Sequence, residues 1–130
     1  MIMDYHYTLY KDHLEVQICG NFVIQEAINK FSILLEYCRD TDCRKVLIDY
    51  SQVSNMPSGT LRHLYQFSIE DKYSRYMLEF NKSISFASIH TILTAERTDT
   101  KNDTLLFSMR NRSFKTLEEA RNWLKVKSDQ

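Results

Sequence analysis

Ser58 stands between Pro57 and Gly59, ahead of a long amphipathic stretch. A serine in that place has two uses. Its hydroxyl can cap the coming helix by accepting from an early backbone N–H. It can also carry a phosphate, adding roughly −1.5 to −2 charges where free N–H groups and the helix dipole stabilise them. Asp49 closes the apolar run Val46-Leu47-Ile48. Such a carboxylate acts as an acid or metal ligand, or it binds backbone N–H groups of the loop behind it. No second carboxylate at useful spacing favours the first role. His6, His13, His63 and His90 are scattered, with no pair spaced to clamp a metal from one helix face. His90 lies in an apolar stretch, where a core or edge histidine is the ordinary reading. Cys19, Cys38 and Cys43 are an odd set. Cys38 and Cys43 are too far apart for a Cys-x-x-Cys pair, so free thiols are expected and zinc is not. There is no Gly-x-Ser-x-Gly elbow, Walker loop or dinucleotide fingerprint. With 2 Gly and 1 Pro, the chain has no glycine-rich phosphate loop. These absences lead us to expect no enzyme, no cofactor and no metal.

A second feature is aromatic. Tyr65, Phe67, Tyr73, Tyr76 and Phe80 crowd one stretch, with Met77 among them. One reading is a wide core-facing stripe. The other is an exposed patch for self-association or an apolar ligand. Phe67 falls off the main stripe and should point outward. Arg110, Arg112, Lys115 and Arg121 form a mild basic edge, best read as a solvated face. The chain has 17 basic and 17 acidic residues, which gives no electrostatic reason to expect nucleic acid.

The elements that must position these residues follow from periodicity. At 130 residues and 43% hydrophobic, the chain suits one domain with one core. No apolar run approaches the ~20 residues that span a bilayer. The N-terminus lacks a signal-peptide pattern, so the expected compartment is the cytoplasm. Tyr5 to Tyr10 and Leu14 to Cys19 alternate with period 2, which predicts an antiparallel hairpin turning at Lys11-Asp12 and closed by Gly20. Ile24, Ala27, Ile28, Phe31, Leu34, Leu35 and Cys38 recur at helical spacing. Val46 to Ile48 reads as a strand covered on both faces and ending at Asp49. Leu61, Leu64, Tyr65, Ile69, Tyr73, Tyr76, Met77 and Phe80 predict a helix from near Ser58 to about Glu79, with a break near Asp71. Ile84 to Ile92 reads as a second central strand and Thr94 to Asn102 as a loop. Leu105, Leu106 and Met109 suggest a short helix, and Arg112 to Lys115 a brief last strand. Thr116-Leu117-Glu118-Glu119 has the form of a capping box opening a final helix, after which Lys127 to Gln130 should fray. The expected fold class is therefore α/β: a single domain over residues 1–130 with a mixed sheet, an N-terminal antiparallel hairpin plus parallel strands, and packed helices.

This order resembles the STAS/SpoIIAA-like superfamily, named for sulfate transporters and anti-sigma-factor antagonists. The resemblance spans nearly the whole chain. It rests on Gly20 before the first helix, the strand VLIDYSQV, and the ending FKTLEEARNWL. In the antagonists, a serine followed by glycine starts the helix after the central strand. A partner kinase phosphorylates it and so switches binding. Met56-Pro57-Ser58-Gly59 occupies that place here, against Asp-Ser-Ser-Gly in the family. Ser58 and Gly59 match, while the acidic residue and the first serine are absent. The loop at Thr94 to Asn102 fits the broader SpoIIAA-like group better than the compact antagonists. Some members of that group look like binders of apolar or lipid-like ligands.

The resemblance and the residues together imply a non-enzymatic regulatory or interaction module with a protein partner. It would dock through Ser51 to Gly59 and the face of the second helix, where Asp49, Met56, Pro57, Gly59, Tyr65, Phe67 and Tyr73 cluster. A homodimer through the edge strand or the aromatic helix is compatible with this. The competing expectation is a carrier of an apolar ligand, held between sheet and helix by Tyr65, Ile69 and Tyr73.

Overall fold

A computed structural model describes residues 3–89 and 110–126. The element order is β1 (Asp4–Leu9), β2 (Leu14–Asn21), α1 (Ile24–Thr41), β3 (Lys45–Ser54), α2 (Gly59–Phe80), β4 (Ser85–Ile89), β5 (Arg110–Phe114) and α3 (Leu117–Leu124). The five strands form one sheet in the order β1-β2-β3-β4-β5. β1 and β2 are the antiparallel hairpin, and each later neighbour is parallel. This is the mixed sheet expected from the sequence. Three expectations lie outside the described residues: the loop at Thr94 to Asn102, the short helix at Leu105 to Met109, and the fraying of Lys127 to Gln130. His90 lies there too.

β3 sits in the middle and has both faces covered, as its apolar run requires. Val46 and Ile48 enter one core with Phe31, Leu34, Tyr65 and Tyr73 from α1 and α2. Leu47 points the other way and joins Ala120 and Leu124 of α3 in a second core. The helices are thus split between the two faces. The strand does not end at Asp49. It runs on to Ser54, because β2 continues alongside through Asn21, while among the described residues pairing with β4 reaches Asp49↔Ile89. α2 is one unbroken helix without a stop near Asp71. Asp71 instead accepts from Arg75 Nε at 3.1 Å, one turn on. Among the described residues, no helix is long and apolar enough to cross a membrane.

A chain with two glycines must end its helices by other means. Asp42, Asn81 and Lys125 take the left-handed conformation with φ between 55° and 61°. After α1, the Cys43 N–H donates to Cys38 O at 2.9 Å and the Asp42 N–H to Arg39 O at 3.3 Å. That pair of bonds is a Schellman motif. At the start of α3, Thr116 Oγ1 accepts from the Glu119 N–H at 3.2 Å, as its place in the capping box suggested.

Two polar contacts tie the layers together. The Tyr73 hydroxyl is fully buried, accepts from the Ile84 N–H at 2.9 Å and reaches Ile84 O at 3.5 Å. It thereby joins α2 to the entry of β4. The second contact surrounds His13, a histidine with no exposed surface. Asp12 Oδ1 lies 2.7 Å from its Nδ1, and Glu15 Oε2 lies 2.8 Å from its Nε2. Each ring nitrogen thus has a carboxylate oxygen within hydrogen-bond distance. Tyr10 stacks on the ring at 4.8 Å between centroids. Glu15 also takes both arms of Arg121, from Nε at 2.9 Å and Nη2 at 3.0 Å, which fastens α3 to β2. Burial works to raise the Glu15 pKa, but the hydrogen bonds from Arg121 and His13 outweigh it and hold the carboxyl below its ordinary range.

Two stability effects are expected. Tyr73→Phe strands the Ile84 N–H in the core and should cost about 2 kcal/mol in urea unfolding. A cost near zero would show that the hydroxyl carries no structural load. Arg121→Ala should cost about 2 kcal/mol at neutral pH. Because the folded pKa of Glu15 is depressed, its contribution is present above the unfolded carboxylate value near 4.5 and fades as pH falls through the folded value. The deficit of Arg121→Ala should therefore shrink in acid. A deficit unchanged from neutral pH to pH ~3 would rule out the ion pair as its source.

Candidate functional site

Met56, Pro57, Ser58 and Gly59 lie where β3 gives way to α2, while Asp49 is within β3 and Tyr73 reaches the entry of β4, so the expected site residues do not share one surface. Asp49 is half-buried and accepts from the Ser51 N–H at 2.9 Å. The carboxylate thus binds a backbone N–H two residues on, as one sequence reading had it, but within β3 and not in a loop. Met56 packs against the core and Pro57 is buried. Ser58 and Gly59 are exposed.

Ser58 has extended backbone at the position before α2, with φ −137° and ψ 170°, yet its hydroxyl makes no cap hydrogen bond. The sequence suggested such a bond. Gly59 explains its loss. Gly59, the first residue of α2, takes φ +60°, so the chain turns through a left-handed residue directly after Ser58. A Cβ at Gly59 would meet nothing within 4 Å, so backbone conformation alone selects glycine there. The first turn of α2 carries no acidic residue either. The positive end of this helix therefore has neither a serine cap nor an acidic residue in its own first turn.

The loop before Ser58 is pinned. The Asn21 Oδ1 accepts from Ser54 Oγ at 2.6 Å and from Asn55 Nδ2 at 3.0 Å. The Phe22 N–H donates to Ser54 O at 2.9 Å. Asn55 holds φ 58°, a conformation asparagine tolerates better than most residues. Asn21 was not singled out in the sequence. It lies 34 residues from Asn55, and no local pattern joins them.

Tyr65 and Tyr73 are not surface residues. They are 8% and 0% exposed, and together with Ile69 and Tyr76 they form the single buried stripe of α2. The Tyr65 hydroxyl meets that of Tyr50 at 3.0 Å. Burial raises the pKa of both phenols. A pocket beside this pair, lined by Tyr5, Tyr7, Phe31 and Ile48 among others, leaves about 10 Å³. That is about the room one water needs. Tyr65, Ile69 and Tyr73, expected to line a groove between sheet and α2, are themselves core residues.

Phe67 does face outward, at 61% exposure, and it has company. Leu61 is 52% exposed and Leu64 is 50% exposed. The sequence reading placed Leu61 and Leu64 in the buried stripe. The stripe is narrower than that: Leu64 lies about 100° around the helix from Tyr65, and Leu61 belongs to the first turn. Three large apolar side chains at three-residue spacing therefore line the outer face of the first turns, next to Ser58. The basic edge at the other end of the chain is partly consumed, since Arg121 binds Glu15 and Arg112 lies 5.8 Å over the Phe114 ring. Among the described residues, no group of three or more His, Cys, Asp or Glu is placed to hold a metal.

No protein-family model matches the sequence, and no curated protein matches it. Solved structures do match. One is an uncharacterized protein of the DUF3478 family with a SpoIIAA-like fold, from Shewanella loihica PV-4. It aligns over 94% of this chain and 93% of its own, with a TM-score of 0.54 and 16% sequence identity. Identity that low speaks to architecture alone. The order of elements, the mixed sheet and this likeness agree that the protein has a SpoIIAA-like fold.

Proposed function

We propose that the protein is a non-enzymatic interaction module that docks a protein partner on the outer face of the start of α2. One observation carries the reading: Leu61, Leu64 and Phe67 are each half exposed or more, on a helix whose opposite face is locked into the core. Single exposed apolar residues are ordinary, but a contiguous group beside polar surface is what interfaces use. The pinned loop from Asn21 to Asn55 supports it further, because a rigid surface loses less entropy on binding.

Ser58 is the point at which such docking would be switched. Its hydroxyl is exposed and sits one turn before Leu61. A phosphate there would find the uncapped N–H groups of α2 and would place charge beside an apolar contact.

The test is position-specific photo-crosslinking in the cells that make the protein. A photoreactive residue at Phe67 should yield a discrete adduct with another protein. The same residue at Leu78, exposed on the far end of α2, should not. Leu64→Asp should weaken the captured interaction by roughly 2 kcal/mol, about thirtyfold. Ser58→Asp should weaken it in the same direction. Equal labelling from Phe67 and Leu78 would refute a defined docking face. Adducts formed only between copies of this chain would replace the partner by a homodimer.

A further inference from the structure

Cys38 and Cys43 form a pair that the local backbone assembles. They stand at the two positions of the Schellman motif, three residues before the last residue of α1 and two after it, whose side chains this motif brings together, usually as an apolar contact. The Cys43 N–H to Cys38 O bond of 2.9 Å fixes the motif. Both residues belong to the larger core, with Cys38 inside it and Cys43 packed on it from the edge. Both are free thiols in this structure.

The two thiols differ in access and surroundings. Cys38 has no exposed surface, while Cys43 is partly exposed. As a thiol, Cys43 donates to Lys45 O at 3.2 Å. Its thiolate is favoured by the Cys38 hydrogen bond first, then by backbone groups of Lys45 and Leu14 and the charge of His13, all working against burial, and its pKa is lowered to about 7. Cys38 moves the opposite way, pushed up by that same hydrogen bond and by burial. An accessible thiolate beside a buried thiol is the arrangement of an attacking cysteine and its resolving partner.

We propose that Cys43 and Cys38 form a reversible redox site that reacts with a hydroperoxide and closes to an intramolecular disulfide. The Cys43 thiolate attacks the terminal peroxide oxygen, the O–O bond breaks, and the alcohol or water leaves with a proton. Cys43 is then a sulfenic acid. The Cys38 sulfur attacks the Cys43 sulfur, the S–S bond forms, the S–O bond breaks, and water leaves with the Cys38 proton. Two thiols are oxidised by two electrons and one peroxide is reduced. The closed loop is one that two backbone hydrogen bonds already hold, so oxidation leaves the fold in place. Cys19 lies on β2 and takes no part.

The test treats the reduced full-length protein with hydrogen peroxide and maps the product by mass. The expected product loses two hydrogens, contains a Cys38–Cys43 peptide link, and regains the starting mass with dithiothreitol. In Cys38→Ala, which keeps a small apolar group in the core, Cys43 should stop at the sulfenic acid and be trapped by dimedone. In the untreated protein, Cys43 should be alkylated on the order of tenfold faster than Cys19 at neutral pH. Wild-type protein decides the matter even if a variant fails to fold. Pairing through Cys19, a product that stops short of the disulfide, or cysteines left unchanged by peroxide would each overturn the proposal.

Discussion

Everything in this fold answers to β3 being buried from both sides. Val46 and Ile48 need one apolar layer and Leu47 needs another. A strand with that demand cannot lie at an edge or face water. It calls for a neighbour on each flank and helices above and below. Parallel pairing of β2 with β3 and of β3 with β4 forces the chain across the sheet between strands, and α1 and α2 are those crossings. α3 closes the opposite face. The surface proposed for docking follows from the same demand, since α2 must spend its tyrosine stripe on the core and is left with its outer side for anything else.

Two buried polar side chains hold the layers together through the partners they meet. His13 would be costly without a carboxylate at each nitrogen, and Tyr73 without the Ile84 backbone. These contacts join elements far apart in the chain: Glu15 and Arg121 are separated by 106 residues. They therefore fix how layers sit on one another, which apolar packing alone leaves free to slide.

That distance also marks the limit of what the sequence reveals. The strand at Val46, the alternating hairpin, the α1 stripe and the Thr116 cap are local patterns, and each was readable from spacing. The width of the α2 stripe was not. Tyr65, Ile69, Tyr73 and Tyr76 make a complete seam, and adding Leu61 and Leu64 overstated it because a helical period does not say where the covering sheet stops. Asp49 looked like a strand end because apolar residues give out there, while the backbone ladder to β2 continues. Ser58 looked like a cap because the left-handed turn at Gly59 cannot be foreseen from a Ser-Gly pair. Cys38 and Cys43 match no dithiol motif. Their meeting depends on a helix ending at an aspartate, where glycine would be the familiar signal.

The tyrosines carry one further consequence. Tyr5, Tyr7, Tyr50, Tyr65, Tyr73 and Tyr76 all have their ionisation shifted upward, in each case chiefly by burial. Unfolded, these phenols release their protons near 10.0. Raised folded values mean that their contribution is intact below that point and is lost as pH climbs toward the folded values. Alkali is thus this protein's particular enemy. Phenolate absorbance should rise with the cooperative loss of structure, so a single ultraviolet trace would follow the opening of the core.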